Sequence, residues 1–269
     1  MKRYSLYFLL CLPLLAMGAE QDTVISFLPV KKLIPSFTAS GIEHRISLNK
    51  QLTRGVFIGS MGGRFPVADI HYNDMACQFS VAATVYSSLQ NANVKFNVNN
   101  VDFYVDLMFD VPLTTQLTAR AGWGHTSHHF ADDAVGSGSI PINYARDYYE
   151  LFGVYAMPSV HAFVYGGAYW TYSFLVNRNV GRKLLPEFGG EYSFATLAPG
   201  ISLYGAFDLK YREEVSYAST QSYQLGIKIF DYSFRTMRLA YTVRTGIDDR
   251  GQYYDQRITI HMLGLFFDF

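Results

Sequence analysis

The stretch VDFYVDLMFDV, residues 101–111, decides the fold class. Its odd positions are all apolar, whereas three of its even positions are aspartates. Apolar and polar residues that alternate with a period of two are typical of a β-strand with one face in each environment. Residues 201–212 and 237–244 repeat the pattern, and the polar face of 201–212 carries unlike charges such as Asp208 and Lys210. The sequence therefore predicts an all-β chain.

Composition favours a membrane barrel over a soluble sandwich. Only 16% of the 269 residues are charged and 16% are aromatic, while soluble domains have about 25% charged residues. The alternating segments are also longer than the usual five or six residues of soluble strands, and a tilted membrane strand needs about 9–11. In such a barrel the apolar face contacts lipid and the charged face lines the lumen. The net charge of zero argues against a nucleic-acid partner.

The predicted strands can be counted backwards from the last residue. We predict a transmembrane antiparallel up-and-down barrel over residues 43–269, with about twelve strands and about ten as the alternative. Short and long links alternate along most of it, which places both termini in the periplasm; residues 67–77 and 89–99 are expected to be long links. The expected strands are 43–50, 55–65, 78–88, 100–112, 117–127, 142–157, 160–174, 187–196, 200–212, 221–231, 237–246 and 256–269.

The first residues predict export. Residues 1–19, MKRYSLYFLLCLPLLAMGA, have a basic start, an apolar stretch and a small-residue exit, which is the layout of a secretory signal peptide. No later run of apolar residues is long enough for a membrane helix. We expect an outer-membrane location in a Gram-negative cell, with outer-membrane lipid around the barrel. Residues 20–42 are expected to be a periplasmic lead-in or a plug.

The chain stops on an apolar row formed by Leu263, Leu265, Phe267 and Phe269. This row resembles the C-terminal assembly signal of bacterial outer-membrane barrels. The resemblance implies that the barrel assembly machinery is a partner, which would bind through the strand that ends at Phe269.

The most reactive stretch is GHTSHHFADD, residues 124–133. His125 and Ser127 are two residues apart, so on a strand their side chains share a face. Leu117 and Trp123 are also at odd positions of this strand, so the shared face is the apolar face that contacts lipid. A histidine can activate a serine as a nucleophile when a third group orients its ring. This pair predicts an esterase that acts on lipid.

A His-x-Ser pair on a barrel strand is similar to the sites of outer-membrane phospholipase A and of lipid A deacylases. In phospholipase A an asparagine completes the triad, and Asn143 would take this role here if it stands opposite His125. The resemblance implies calcium as a cofactor if the activity is phospholipase-like; the residues themselves imply none.

A broader resemblance covers most of the chain after residue 19. It is to a bacterial family defined only as a domain of unknown function and expected in the outer membrane, and it implies a location and a barrel but no activity. The motifs that carry it are Gly62-Gly63-Arg64-Phe65-Pro66, His125-Thr126-Ser127-His128 with Asp132-Asp133, Tyr144-Ala145-Arg146-Asp147, Gly189-Gly190-Glu191-Tyr192 and Gly246 to Gln252.

Three alternatives stay open beside the esterase. The histidine-rich stretch can be a polar loop start with no chemistry, and the protein then a structural or adaptor barrel. It can bind a metal through His128, His129, Asp132 and Asp133, whose ligand types suit zinc. The third alternative is a small-solute channel, although narrow barrels are filled by side chains. The inward charges expected to form lumen ion pairs are Asp106, Arg120, Glu150, Asp208, Lys210, Arg238 and Arg244.

Overall fold

The computed structural model describes residues 23–73, 75–92, 94–136, 138–176, 184–232 and 235–268. The signal peptide predicted over residues 1–19 and the terminal Phe269 lie outside the described residues. None of the helices in the described ranges is long and apolar enough to cross a membrane.

Most of the described chain is β-strand. The strands are β1 (Thr23–Phe27), β2 (Ile46–Gln51), β3 (Val56–Tyr72), β4 (Met75–Ala92), β5 (Lys95–Pro112), β6 (Leu117–Phe130), β7 (Tyr144–Met157), β8 (Ala162–Val176), β9 (Leu184–Ala198), β10 (Ile201–Arg212), β11 (Ala218–Tyr232), β12 (Arg235–Ile247) and β13 (Arg257–Asp268), and one short helix, α1 (Asp132–Gly136), follows β6.

Strands β2 to β13 form a closed antiparallel barrel. Each pairs with its neighbours in sequence, and β13 pairs with β2 from Met262 opposite Gln51 to Phe267 opposite Ile46. The predicted up-and-down barrel of about twelve strands is confirmed, and the alternative of about ten is excluded. The additional strand β1 pairs with the last residues of β3.

The barrel has two unlike ends. At the turn end the strands are joined by residues 73–74, 113–116, 158–161, 199–200 and 233–234; at the loop end by 52–55, 93–94, 131–143, 177–183, 213–217 and 248–256. The long links predicted over 67–77 and 89–99 are wrong. Backbone pairing continues through both segments, from Ile70 opposite Cys77 and from Asn91 opposite Phe96. Polar side chains in these segments led to the prediction of links. The backbone hydrogen bonds between strands continue there nevertheless, because they do not require an apolar face.

The two faces of the wall match the arrangement predicted for a membrane barrel, with the apolar face outward and the charged face inward. On β5 the inward Asp102, Asp106 and Asp110 are 1%, 3% and 0% exposed, while outward residues such as Leu151 and Leu225 are 66% and 59% exposed. An apolar exterior around a polar interior is the arrangement of a membrane barrel.

Ion pairs fill the lumen. Arg120 Nε lies 2.7 Å from Asp110 Oδ1, and Lys210 Nζ lies 2.6 Å from Asp208 Oδ1. Arg238 donates to both oxygens of Asp268. These contacts confirm the predicted lumen pairing for Arg120, Asp208, Lys210 and Arg238, whereas Glu150 has no ion pair within the described residues. Of the expected inward charges, Asp106, Arg120, Glu150, Asp208, Lys210 and Arg238 are buried, and Arg244 is half-buried.

Residues 31–45, the lumen segment, lie among these inward side chains. The Phe37 ring stacks on Tyr165 of β8 with 3.7 Å between centroids. The backbone N–H of Leu33 donates to Gln78 Oε1 of β4 over 3.1 Å. Three cavities that touch the lumen side chains have volumes of about 20, 20 and 30 Å³, which is room for about one water each.

Candidate functional site

His125 lies on the outward face of β6, where the sequence predicted it. The inward neighbours of His125 on this strand are small, and a Cβ at Gly124 would lie 1.8 Å from Asp106 Oδ1. Side chains alternate along a strand, so the even residues Gly124 and Thr126 face the lumen and the odd residues point away from it. Ser127 shares the face of His125.

A carboxylate orients His125. Its Nδ1 lies 2.7 Å from Oδ1 of Asp147, which is directly opposite on β7. The side chains of His125 and Asp147 are 42% and 31% exposed. No described residue contacts Nε2 by a hydrogen bond, and Ser127 makes no side-chain hydrogen bond within the described ranges. The ring is therefore held at one nitrogen and open at the other.

Asn143 does not stand opposite His125. It lies in the link before β7 and is exposed, while the register places Asp147 opposite His125 and Ala145 opposite Ser127. The link between β6 and β7 contains α1 and is longer than a pairing of His125 with Asn143 requires, so the register is shifted by four residues to Asp147. The sequence analysis did not identify Asp147 as a site residue. The feature that could have indicated it is an acidic residue on the apolar face of a predicted strand.

An aromatic patch borders this pair on the outer wall. Trp123 Nε1 donates to the Tyr172 hydroxyl over 2.6 Å, and the Tyr149 ring stacks on Tyr172 with 4.8 Å between centroids. Trp170 also stacks on Tyr149, with 6.1 Å between centroids. Trp123 and Tyr149 are the next outward residues before His125 and after Asp147. Such rings are typical of the level of lipid headgroups.

The four residues proposed as metal ligands are not brought together. His128 points into the lumen and is 1% exposed, whereas His129 is outward and packs edge-on against Phe103. Asp133 on α1 accepts from the backbone N–H of Val98 and contacts Lys95; the Val98 bond lowers its pKa. Within the described residues no group of three His, Cys, Asp or Glu could hold a metal.

His128 instead joins the lumen to the loop end. Its Nδ1 accepts from the Gly251 backbone N–H over 3.0 Å and lies 3.0 Å from Asp102, and its Nε2 contacts the Thr126 hydroxyl. This imidazole holds the link 248–256 over the lumen.

Within that link Asp249 contacts three basic side chains of the lumen wall. Arg212 donates to Asp249 Oδ1 over 3.0 Å, and Lys210 and Arg244 lie 3.7 and 3.6 Å from Oδ2. Burial alone would raise the pKa of Asp249, but these positive charges hold it at about 2.

Comparisons with known proteins add little beyond architecture. The chain matches no family model, and no curated protein matches it. Its structure is similar to OmpT, an outer membrane protein of Vibrio cholerae, with a TM-score of 0.40, 13% identity and coverage of 91% of this chain and 98% of that one. It is also similar to a BenF-like porin from Pseudomonas fluorescens, with a TM-score of 0.31, 14% identity and coverage of 91% and 72%. Neither score is high enough to support an argument about activity.

Proposed function

We propose that this chain is an integral outer-membrane β-barrel with a lipid-acting esterase site on its outer wall. Its integration into a bilayer is supported by the wall itself. The exterior presents large exposed apolar residues on many strands, whereas the charged faces of the same strands are buried and paired. A soluble sandwich would bury the apolar face instead.

The observation that carries the esterase is the His125–Asp147 pair. A carboxylate on Nδ1 fixes the tautomer and ring orientation, which leaves Nε2 as the proton acceptor. Ser127 is the nearest outward residue beyond His125 on β6, and it has no competing hydrogen bond within the described residues. The three groups thus have the types and the order of a serine hydrolase site.

The chemistry follows from these positions. Nε2 of His125 accepts the Ser127 hydroxyl proton as Oγ attacks the carbonyl carbon of an acyl ester. The tetrahedral intermediate expels the alcohol, which takes that proton from His125. A water molecule, deprotonated in turn by His125, releases the fatty acid and restores the serine. Asp147 stabilises the imidazolium formed in both steps.

The position on the wall selects the substrate class. Because the site faces outward, an ester that reaches it without leaving the bilayer must belong to a membrane lipid. The aromatic patch beside the site would hold it at headgroup depth, where acyl esters lie.

The experiment measures fatty-acid release from phospholipid and from lipid A by purified barrel, with and without calcium. Wild-type protein should release acyl chains, and Ser127→Ala and His125→Ala should each lose about three or more orders of magnitude in rate. Ser173→Ala is a matched control, because Ser173 lies opposite Asp147 on its other side and points outward. A wild-type barrel that releases no acyl chain from either lipid contradicts the esterase.

The channel alternative finds less support. Three cavities among the described lumen side chains and the lumen segment have volumes of about 20, 20 and 30 Å³, which is too small for a solute path. A steady ion conductance in planar-bilayer recordings of the protein would support the channel hypothesis again. A barrel with neither conductance nor acyl release would be a structural or adaptor protein.

A further inference from the structure

The barrel wall has a notch at the loop end, separate from the esterase site. Strand β2 ends at Gln51, opposite Met262, so residues 257–260 of β13 have no strand partner on that side. Strand β3 begins only at Val56, opposite Gln90, whereas β4 continues to Ala92 and pairs there with β5. Between β13 and β4, only the link 52–55 crosses the wall.

A cavity of about 380 Å³ occupies this notch. This volume lies within the usual range of ligand pockets, about 300–1,000 Å³. Gln51 and Val56 line its base. The other lining residues used below are Arg54, Asp248, Arg250, Tyr253 and Arg257.

The charge of the cavity lining is positive and unbalanced. Arg250 donates to both oxygens of Asp248, so these two charges neutralise each other. Arg54 and Arg257 have no acidic partner within the described residues. Two guanidinium groups therefore face one cavity without a counter-charge from the described chain, and no second carboxylate lines it.

A buried amide at the base of the cavity also lacks a partner. Gln51 is 4% exposed, and its Oε1 has no hydrogen bond. A buried polar group without a partner is costly unless a ligand or water satisfies it. The orphaned atom is an acceptor, so a phosphate satisfies it only through an oxygen that carries a proton, as in a phosphate monoanion, while the NH₂ of the same amide can donate to another phosphate oxygen.

We propose that the notch binds a phosphate group between Arg54 and Arg257, with the Gln51 amide below it. Guanidinium groups match phosphate oxygens in geometry, and a phosphomonoester carries about −1.5 to −2 charge at neutral pH, which balances two arginines. The notch opens sideways as well as upwards, so the phosphate can belong to a lipid headgroup in the surrounding leaflet or to a free solute. The two sources share one chemistry.

The test compares wild-type barrel with Arg54→Gln, Arg257→Gln and the double variant. Arg235→Gln is the matched control, since it removes the same charge at the turn end. Inorganic phosphate is titrated into detergent-solubilised protein by calorimetry. In parallel, phosphatidic acid retained from mixed micelles is counted by native mass spectrometry, with phosphatidylcholine as the comparison. Heat-modifiable migration on gels confirms that each variant is folded.

We expect each single variant to weaken phosphate binding by about tenfold, the double variant to abolish it, and Arg235→Gln to bind as wild type. Retention of phosphatidic acid that inorganic phosphate displaces would assign a lipid headgroup. Phosphate binding without lipid retention would assign a free solute. Equal binding by wild type and the double variant, or no binding in either arm, would overturn the site. None of these readouts depends on acyl hydrolysis.

Discussion

The histidines that pair with an aspartate form two groups. His44 and His128 lie in the lumen, and each has both imidazole nitrogens hydrogen-bonded to protein groups. His125 lies on the outer wall, and only its Nδ1 has a partner within the described residues. An imidazole engaged at both nitrogens holds segments together, whereas one with a free nitrogen can exchange a proton with a ligand. The same pair of residue types therefore has both ring nitrogens engaged in the interior and one ring nitrogen open on the exterior.

The largest expected effect tests the exterior pair. Asp147→Asn should lower acyl release by about four orders of magnitude, because the amide favours the wrong tautomer of His125 without moving it. Asp102→Asn, in the interior pair of His128, should leave the rate of the folded protein unchanged. Single-turnover assays on barrel that has passed the heat-modifiability test make this comparison. Equal rate losses in both variants would erase the distinction between the two groups.

The interior pair of His44 and Asp106 should contribute to stability instead of to activity. Asp106 accepts from the Tyr148 hydroxyl over 2.7 Å and contacts His44, so Asp106→Ala leaves two buried groups without a partner. Each should cost about 1–3 kcal/mol of unfolding free energy. Asp147→Asn should cost less, since its carboxylate is only partly buried. Urea unfolding in lipid vesicles measures both, and a larger loss from Asp147→Asn would reverse the comparison.

Acid should act on the interior network through Asp249. Its pKa of about 2 is below the ordinary value, so its stabilising contribution is present at neutral pH and is lost as the pH falls through about 2. Between about pH 4 and about pH 2, wild-type unfolding free energy should fall by about 2 kcal/mol more than that of Asp249→Asn. The exposed Asp255→Asn serves as control and should follow the wild-type slope. Parallel slopes for wild type and Asp249→Asn would contradict the network.

The smallest expected effect separates Asp147 from Asn143. Because Asn143 is exposed and lies outside β7, Asn143→Ala should change acyl release by less than about twofold. The loss from Asp147→Asn, measured in the same assay, is the reference. If Asn143→Ala cost as much, the β6–β7 register in the membrane would differ from the one observed here.

Sequence periodicity was sufficient for most of the fold. The alternation in 101–111 assigned β5 and its two faces, and parity placed His125 and Ser127 together on the outer wall. The register between β6 and β7 was harder to predict, because it depends on how the link after β6 folds. With α1 in that link, Asp147 occupies the position expected for Asn143. The extra pairing beyond residue 89 was hidden by polar residues, which a backbone ladder tolerates at the loop end.

The notch and the lumen segment were also beyond the reach of periodicity. The notch arises because β2 has only six residues, a consequence of tertiary closure rather than of local pattern. Residues 31–45 contain no strand in the structure, so their path through the lumen depends on contacts with distant residues such as Gln78 and Tyr165.

The lumen segment also limits the order in which the molecule can be assembled. It is continuous with β2, and β2 is the strand that closes the ring against β13, more than 200 residues away along the chain. A closed ring cannot admit a peptide whose following residues are already part of its wall unless that peptide threads through an end. Unless the segment threads in from the turn end after closure, its contacts with β4 and β8 form before or together with the last seam. Closure then encloses the segment, and release requires either reopening the seam or threading out past the turn end.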